Sequence, residues 1–185
     1  MKLPTLRVLG LSALCVAMSA WAASAQIQRL DLRTMISKSD DAVVGQIVGK
    51  KVFRVDHPVA GPDLFYTTIT VQGRSLVHGK MAQVEVTYPG GFITPEEGVY
   101  NSEAPTEDET RIGNEVVLFY FWNDNMGGDV AGNMLQALHG GIYRVVKTTG
   151  GQVTLGKGDG YAIEQNWKLV DLDREITRLH DELGK

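Results

Sequence analysis

The side chains able to do chemistry are few and scattered through the chain. There are four histidines. His57 precedes a proline, His78 precedes a glycine, His139 sits in a glycine-flanked stretch, and His180 falls on the water-facing side of a helical pattern. No H-x-x-x-H or H-E-x-x-H spacing occurs, so a zinc pair carried on one helix is absent. The single cysteine, Cys15, lies near the start, which leaves the rest of the chain without a thiol nucleophile, a disulfide or a thiolate metal site. Gly73-Arg74-Ser75-Leu76 lacks the second glycine of a nucleophile elbow. A serine triad would therefore have to assemble from distant residues. Gly156-Lys157-Gly158-Asp159-Gly160 lacks the Ser/Thr and the following helix of a phosphate loop and reads as a tight turn. Asn123-Asp124-Asn125-Met126-Gly127-Gly128-Asp129 alternates oxygen side chains as a calcium loop does, but Met134 stands where the closing glutamate belongs. Asn and Gly serve an ordinary turn equally well. No catalytic, cofactor or metal residue is assigned, and His139 is the one histidine retained as a candidate.

Recognition is better represented than catalysis. Trp122 ends an apolar run beside the Asn/Gly loop, and Phe92 opens an acidic stretch. Aromatic side chains at strand ends beside polar loops suit a contact surface; packing over the end of a barrel is the alternative. With the neighbouring loop carboxylates, the candidate partner-binding set is Phe92, Trp122, Asp124, Asp129 and His139.

These residues hang on a recognisable series of elements. Glu115-Val116-Val117-Leu118-Phe119-Tyr120-Phe121-Trp122 is a continuous apolar and aromatic run, too short for a typical helix and rich in strand formers. It predicts a central strand buried on both faces. Before it, a short helix is expected over Gln26–Ser39 with Asp31 as its cap. Strands are expected at Ala42–Gly49, Phe65–Val71 and Val84–Tyr88, where Gly45 and Gly49 imply bending or close approach of a neighbouring backbone. From Phe92 to Arg111 the pattern is lost. Glu96, Glu97, Glu103, Glu107, Asp108 and Glu109 face one local base, Arg111, which predicts a solvated projection available to a basic partner. Strands at Ile142–Thr148 and Gln152–Leu155 join at Gly150-Gly151. A helix from about Asp171 carries Leu172, Ile176, Leu179 and Leu183 on one stripe.

The N-terminus adds a compartment. Lys2 and Arg7 precede an apolar run from Val8 to Met18, and Ala23-Ser24-Ala25 completes the three-part pattern of a cleaved signal peptide over residues 1–25. Export to a periplasmic or extracellular location is the expectation, with residues 26–185 as a single domain and no membrane span after the leader is removed. Losing Lys2 and Arg7 takes the formal net charge from −4 to −6. Such a chain does not attract phosphate backbones, so nucleic acid is excluded as a partner.

Five or six strands with a helix at each end define a mainly β fold: a small antiparallel OB-like β-barrel, partly open, with a β-sandwich as the alternative. The order of motifs resembles a group of small exported bacterial β-barrel domains of unassigned function. The likeness is carried by Ser39-Asp40-Asp41-Ala42-Val43-Val44-Gly45-Gln46-Ile47-Val48, Gly79-Lys80, Pro89-Gly90-Gly91, Gly113-Asn114-Glu115-Val116-Val117-Leu118-Phe119 and Gly141-Ile142-Tyr143. The layout is also distantly similar to netrin and metalloprotease-inhibitor modules, whose inhibitory mechanism needs an N-terminal cysteine that this chain lacks after its leader. The expected function is non-catalytic binding of a protein or other envelope component through loops at one barrel end. The alternatives are a hydrolase with a loop-borne catalytic group or an inhibitor of an exported protease.

Overall fold

The computed structural model describes residues 30–184. The expected leader and the start of the expected N-terminal helix lie outside the described residues. Asp31 caps the first helix as anticipated, its Oδ1 accepting a hydrogen bond from the Thr34 backbone N–H at 2.7 Å. Helix α1 then runs Leu32–Lys38 and buries Met35 and Ile36.

Three long strands follow as a meander: β1 (Asp41–His57), β2 (Gly61–Ser75) and β3 (Met81–Pro89). Gly45 and Gly73 stand opposite one another across β1 and β2. A Cβ added to Gly73 would lie 2.0 Å from the Val44 carbonyl oxygen, so the two backbones approach as only glycine permits. A register shift between Ile47 and Gly49 marks a bulge. Beyond it β1 continues eight residues past the expected end at Gly49, because Lys50–His57 pair with Gly61–Ile69 in a hairpin that extends beyond the closed part of the sheet.

The expected acidic loop begins instead as a second, two-stranded sheet, β4 (Gly91–Thr94) with β5 (Glu97–Val99). The central strand forms as expected as β6 (Glu115–Asn123). It is followed by β7 (Gly132–Leu135), a 3-10 turn at Leu138–Gly141, β8 (Ile142–Thr148), β9 (Gly151–Thr154), β10 (Trp167–Lys168) and helix α2 (Leu169–Glu182).

Strands β1, β2, β3, β7 and β6 close into a five-stranded barrel, because β6 returns to pair with β1. The small OB-like β-barrel is present; it is closed rather than partly open, and the sandwich is not formed. All its ladders are antiparallel except β3 with β7, where Thr87 and Met134 form a single parallel pair. One edge of β6 serves β1, while the other is shared by β7 and β8.

The alternation of β6 divides the apolar side chains between two cores. Val116 and Leu118 point into the barrel with Val43, Ile47, Ile69, Val71 and Val86. Val117 and Phe119 point outward, under α1 and α2, against Met35, Tyr143, Leu172 and Ile176. Phe119 is fully buried and meets Tyr143 edge to face, with ring centroids 6.4 Å apart. Burying one such side chain contributes about 1.5–3 kcal/mol. His180, expected to face water, turns toward the same layer instead; its ring is only 14% exposed and stands edge-on to His78. Among the described residues, no helix is long and apolar enough to cross a membrane.

Candidate functional site

The acidic segment does not project into solvent, contrary to its sequence expectation. Four of its six carboxylates are ion-paired, three of them with bases brought from distant parts of the chain. Glu97 lies 3.7 Å from Arg54 of β1, Glu107 pairs with Lys50 of β1, and Glu109 pairs with Lys157 and His139; only Asp108 uses the local Arg111. Thr110 is completely buried.

Glu109 is the centre of a clasp. One carboxylate oxygen takes the Lys157 ammonium, and the other faces His139 Nδ1 at 3.2 Å. The second oxygen also accepts hydrogen bonds from the Thr106 backbone N–H at 2.8 Å and the Thr106 hydroxyl at 3.0 Å. Lys157 Nζ donates to the His139 carbonyl and lies 5.4 Å from the centre of the Tyr143 ring, while Tyr161 meets the His139 ring edge-on. The Lys157 and Glu109 side chains are only 12% and 13% exposed. Burial alone would raise the Glu109 carboxyl, but hydrogen bonds from His139 and Lys157 and the Lys157 charge outweigh it and hold the group at about 2. Lys157 is also pushed down, because for the ammonium burial outweighs the attraction of Glu109. The two partners therefore move in the same direction for different reasons.

A strained turn delivers His139 to this clasp. Ala137 and Leu138 are consecutive non-glycine residues at φ +50° and +47°, each costing about 1–3 kcal/mol unless the surroundings hold it. Leu138 packs against the barrel core, and the His139 N–H donates to the Glu103 carbonyl at 2.9 Å. A histidine beside a glutamate and a hydroxyl has the components of an acid–base site. Here, however, both glutamate oxygens are engaged and a lysine stands 3.1 Å from Nδ1. What this arrangement does is fasten the acidic segment to the barrel.

Fastening that segment creates a cleft of about 400 Å³ between the β1–β2 hairpin, the β4–β5 hairpin and residues 100–107. Its apolar walls are Val52, Tyr88, Phe92, Val99, Tyr100 and Pro105. Burial pushes the Tyr88 phenol up to about 12, so it is neutral at ordinary pH. Ten large apolar side chains are exposed among the described residues, and Phe92, Ile93, Val99, Tyr100 and Ile112 make half of them. Exposed apolar surface is thus gathered around one segment, as contact surfaces require. A wider groove of about 760 Å³ runs between α2 and the end of β2, but its charges are already matched, with Arg74 against Asp173 at 2.7 Å.

Of the residues singled out in the sequence, Trp122, Asp124 and Asp129 share the end of β6 and its loop, while Phe92 and His139 lie elsewhere. Phe92 lines the cleft and is 49% exposed. Trp122 is 55% exposed at the end of β6; its indole N–H donates to Asp124 at 2.7 Å and its backbone N–H to Asp40 at 2.6 Å. Asp129 lies 3.1 Å from His57 Nε2. His139 is in the clasp.

The calcium-like loop spends two of its side-chain oxygens on its own backbone and its carboxylates on neighbouring side chains. Asn123 Oδ1 accepts from the Asn125 N–H and Asn125 Oδ1 from the Gly127 N–H. Among the described residues no three His, Cys, Asp or Glu side chains stand close enough to hold a metal ion. OB barrels commonly bind oligomers between the loops that correspond here to the β1–β2 and β6–β7 connections. In this chain those loops are tied together by His57 with Asp129 and by the Tyr66 hydroxyl donating to the Met126 carbonyl at 2.9 Å.

Sequence reasoning missed Lys50, Tyr100, Glu109 and Lys157. The available signal was a lysine amid glycines at 156–160 and an acidic run too dense to remain unpaired. Compared with protein families, with curated proteins and with solved structures, the chain matches none.

Proposed function

We propose that this chain is an exported, non-catalytic binding domain that takes an apolar segment of a protein partner, or of another envelope component, into the cleft beside the β4–β5 hairpin. The observation that carries this reading is the gathering of exposed Phe92, Val99 and Tyr100 around a preformed hollow. Four of the six carboxylates in the neighbouring segment are paired, so apolar contact, rather than attraction of a basic partner, supplies the affinity. Export rests on the leader pattern at residues 1–25. The hydrolase reading draws on His139 beside Glu109 and Thr106, and the engagement of both glutamate oxygens weighs against it. The inhibitor reading has no N-terminal cysteine to work with.

The test is affinity capture from a native envelope extract with the mature domain as bait, beside the double variant Phe92→Ser/Tyr100→Ser. Both changes fall on exposed side chains, so the fold should survive, as circular dichroism would verify. Specific capture by the parent and its loss in the variant is expected. Equal capture by both would overturn the assignment of the cleft.

A further inference from the structure

One wall of the cleft is charged. Lys50 Nζ pairs with Glu107 and donates a second hydrogen bond to Thr110 Oγ1 at 3.0 Å. The lysine side chain is 19% exposed, whereas the glutamate is 87% exposed. On the far side of this pair lies a second hollow of about 320 Å³, lined by Lys50, Glu107, Thr110, Arg111 and Ile112. The Lys50–Glu107 bridge is therefore the partition between two adjoining hollows, one walled by aromatic and aliphatic groups and the other by Arg111 and Ile112.

We infer that Glu107 is an internal stand-in for a ligand carboxylate, and that the cleft recognises the C-terminus of a polypeptide, with its α-carboxylate on Lys50 and its last apolar side chain among Val52, Phe92 and Tyr100. The inference rests on the cleft being the binding site. Most of the Lys50 side chain is already buried in the folded protein, so a ligand carboxylate that replaces Glu107 meets an ammonium already held in place. Exchanging one carboxylate for another leaves the local charge unchanged. The group displaced is held weakly, because an ion pair with one partner almost fully in water contributes little. Swinging Glu107 outward also joins the two hollows and brings the incoming group beside Arg111, which is 71% exposed and paired with Asp108. A terminal carboxylate with an adjacent apolar side chain supplies both halves of this chemistry, and capture of chain termini is an established mode of peptide recognition.

The experiment uses two pooled libraries of hexapeptides with the last three positions randomised, identical except that one carries free α-carboxylates and the other C-terminal amides. Retention on the immobilised mature domain is measured for the parent, Lys50→Met, Lys50→Arg and Glu107→Gln. The parent should retain the acid library about tenfold or more over the amide library, the range of a charge-assisted hydrogen bond. Lys50→Met should abolish that preference and Lys50→Arg should restore part of it. Glu107→Gln should strengthen acid binding by up to about fivefold, since the internal competitor is gone. Equal retention of the two libraries, or a preference that survives Lys50→Met, overturns the carboxylate assignment while leaving the cleft as an apolar binding site. Retention of neither library overturns both readings.

Discussion

Replacing Glu109 by glutamine should unfasten the clasp and expose what it contributes. The substitution keeps the shape of the side chain but leaves the Lys157 ammonium, 12% exposed, without a counter-charge. Breaking a buried ion pair by removing one partner costs about 3–5 kcal/mol, a large share of the 5–15 kcal/mol typical of a whole domain. The double variant Glu109→Gln/Lys157→Met removes the stranded charge along with its partner, so it should be more stable than Glu109→Gln alone. The pH dependence supplies a second handle. The Glu109 carboxyl is depressed from its reference 4.5 to about 2 in the folded state, so its stabilisation is complete above the unfolded value and lost as pH falls from about 4.5 through 2. That difference amounts to about 3 kcal/mol. Urea denaturation at pH 7 and at pH 2.5 measures each term, and the gap between the parent and Glu109→Gln should narrow at the lower pH. A gap under about 1 kcal/mol at pH 7, a gap independent of pH, or strict additivity of the two substitutions would refute the reasoning.

Two further outcomes follow from the packing. Phe119→Ala should lower stability by about 3–5 kcal/mol, read from the urea midpoint, because the ring is fully buried against Tyr143 between the barrel and the helices. Replacing residues 93–110 with a short Gly/Ser linker should lower the thermal midpoint by well over ten degrees, since it removes Glu109 and the buried Thr110 together; a midpoint within a few degrees of the parent would return the segment to the status of a solvated insertion.

What the sequence made legible was whatever depended on near neighbours in the chain. The run Val116–Trp122, the turn at Gly150-Gly151, the Asp31 cap and the Leu172–Ile176–Leu179 stripe each announce themselves within a window of a few residues, and each has its expected place in the fold. The acidic segment was misjudged because the bases that neutralise it, Lys50, Arg54 and Lys157, are about fifty residues away on either side, and only barrel closure brings them back. The second half of β1 was missed for a related reason: Lys50, Lys51, Arg54 and Asp56 break the apolar alternation, since this stretch belongs to a hairpin that faces the cleft and solvent. His180 sits on a helix whose neighbours are charged, and its burial depends on His78 across the fold.

The placement of β6 between two cores has a consequence for how the molecule melts. The barrel interior and the layer beneath the helices share one wall, and adjacent residues of that wall, Val116 with Val117 and Leu118 with Phe119, answer to opposite sides. Neither side can loosen without withdrawing support from the other, so the helices are not a separable cap and the barrel is not an autonomous kernel. Cooperativity is thereby built into a single stretch of chain, and a void opened on one side of it is transmitted through the backbone to the other.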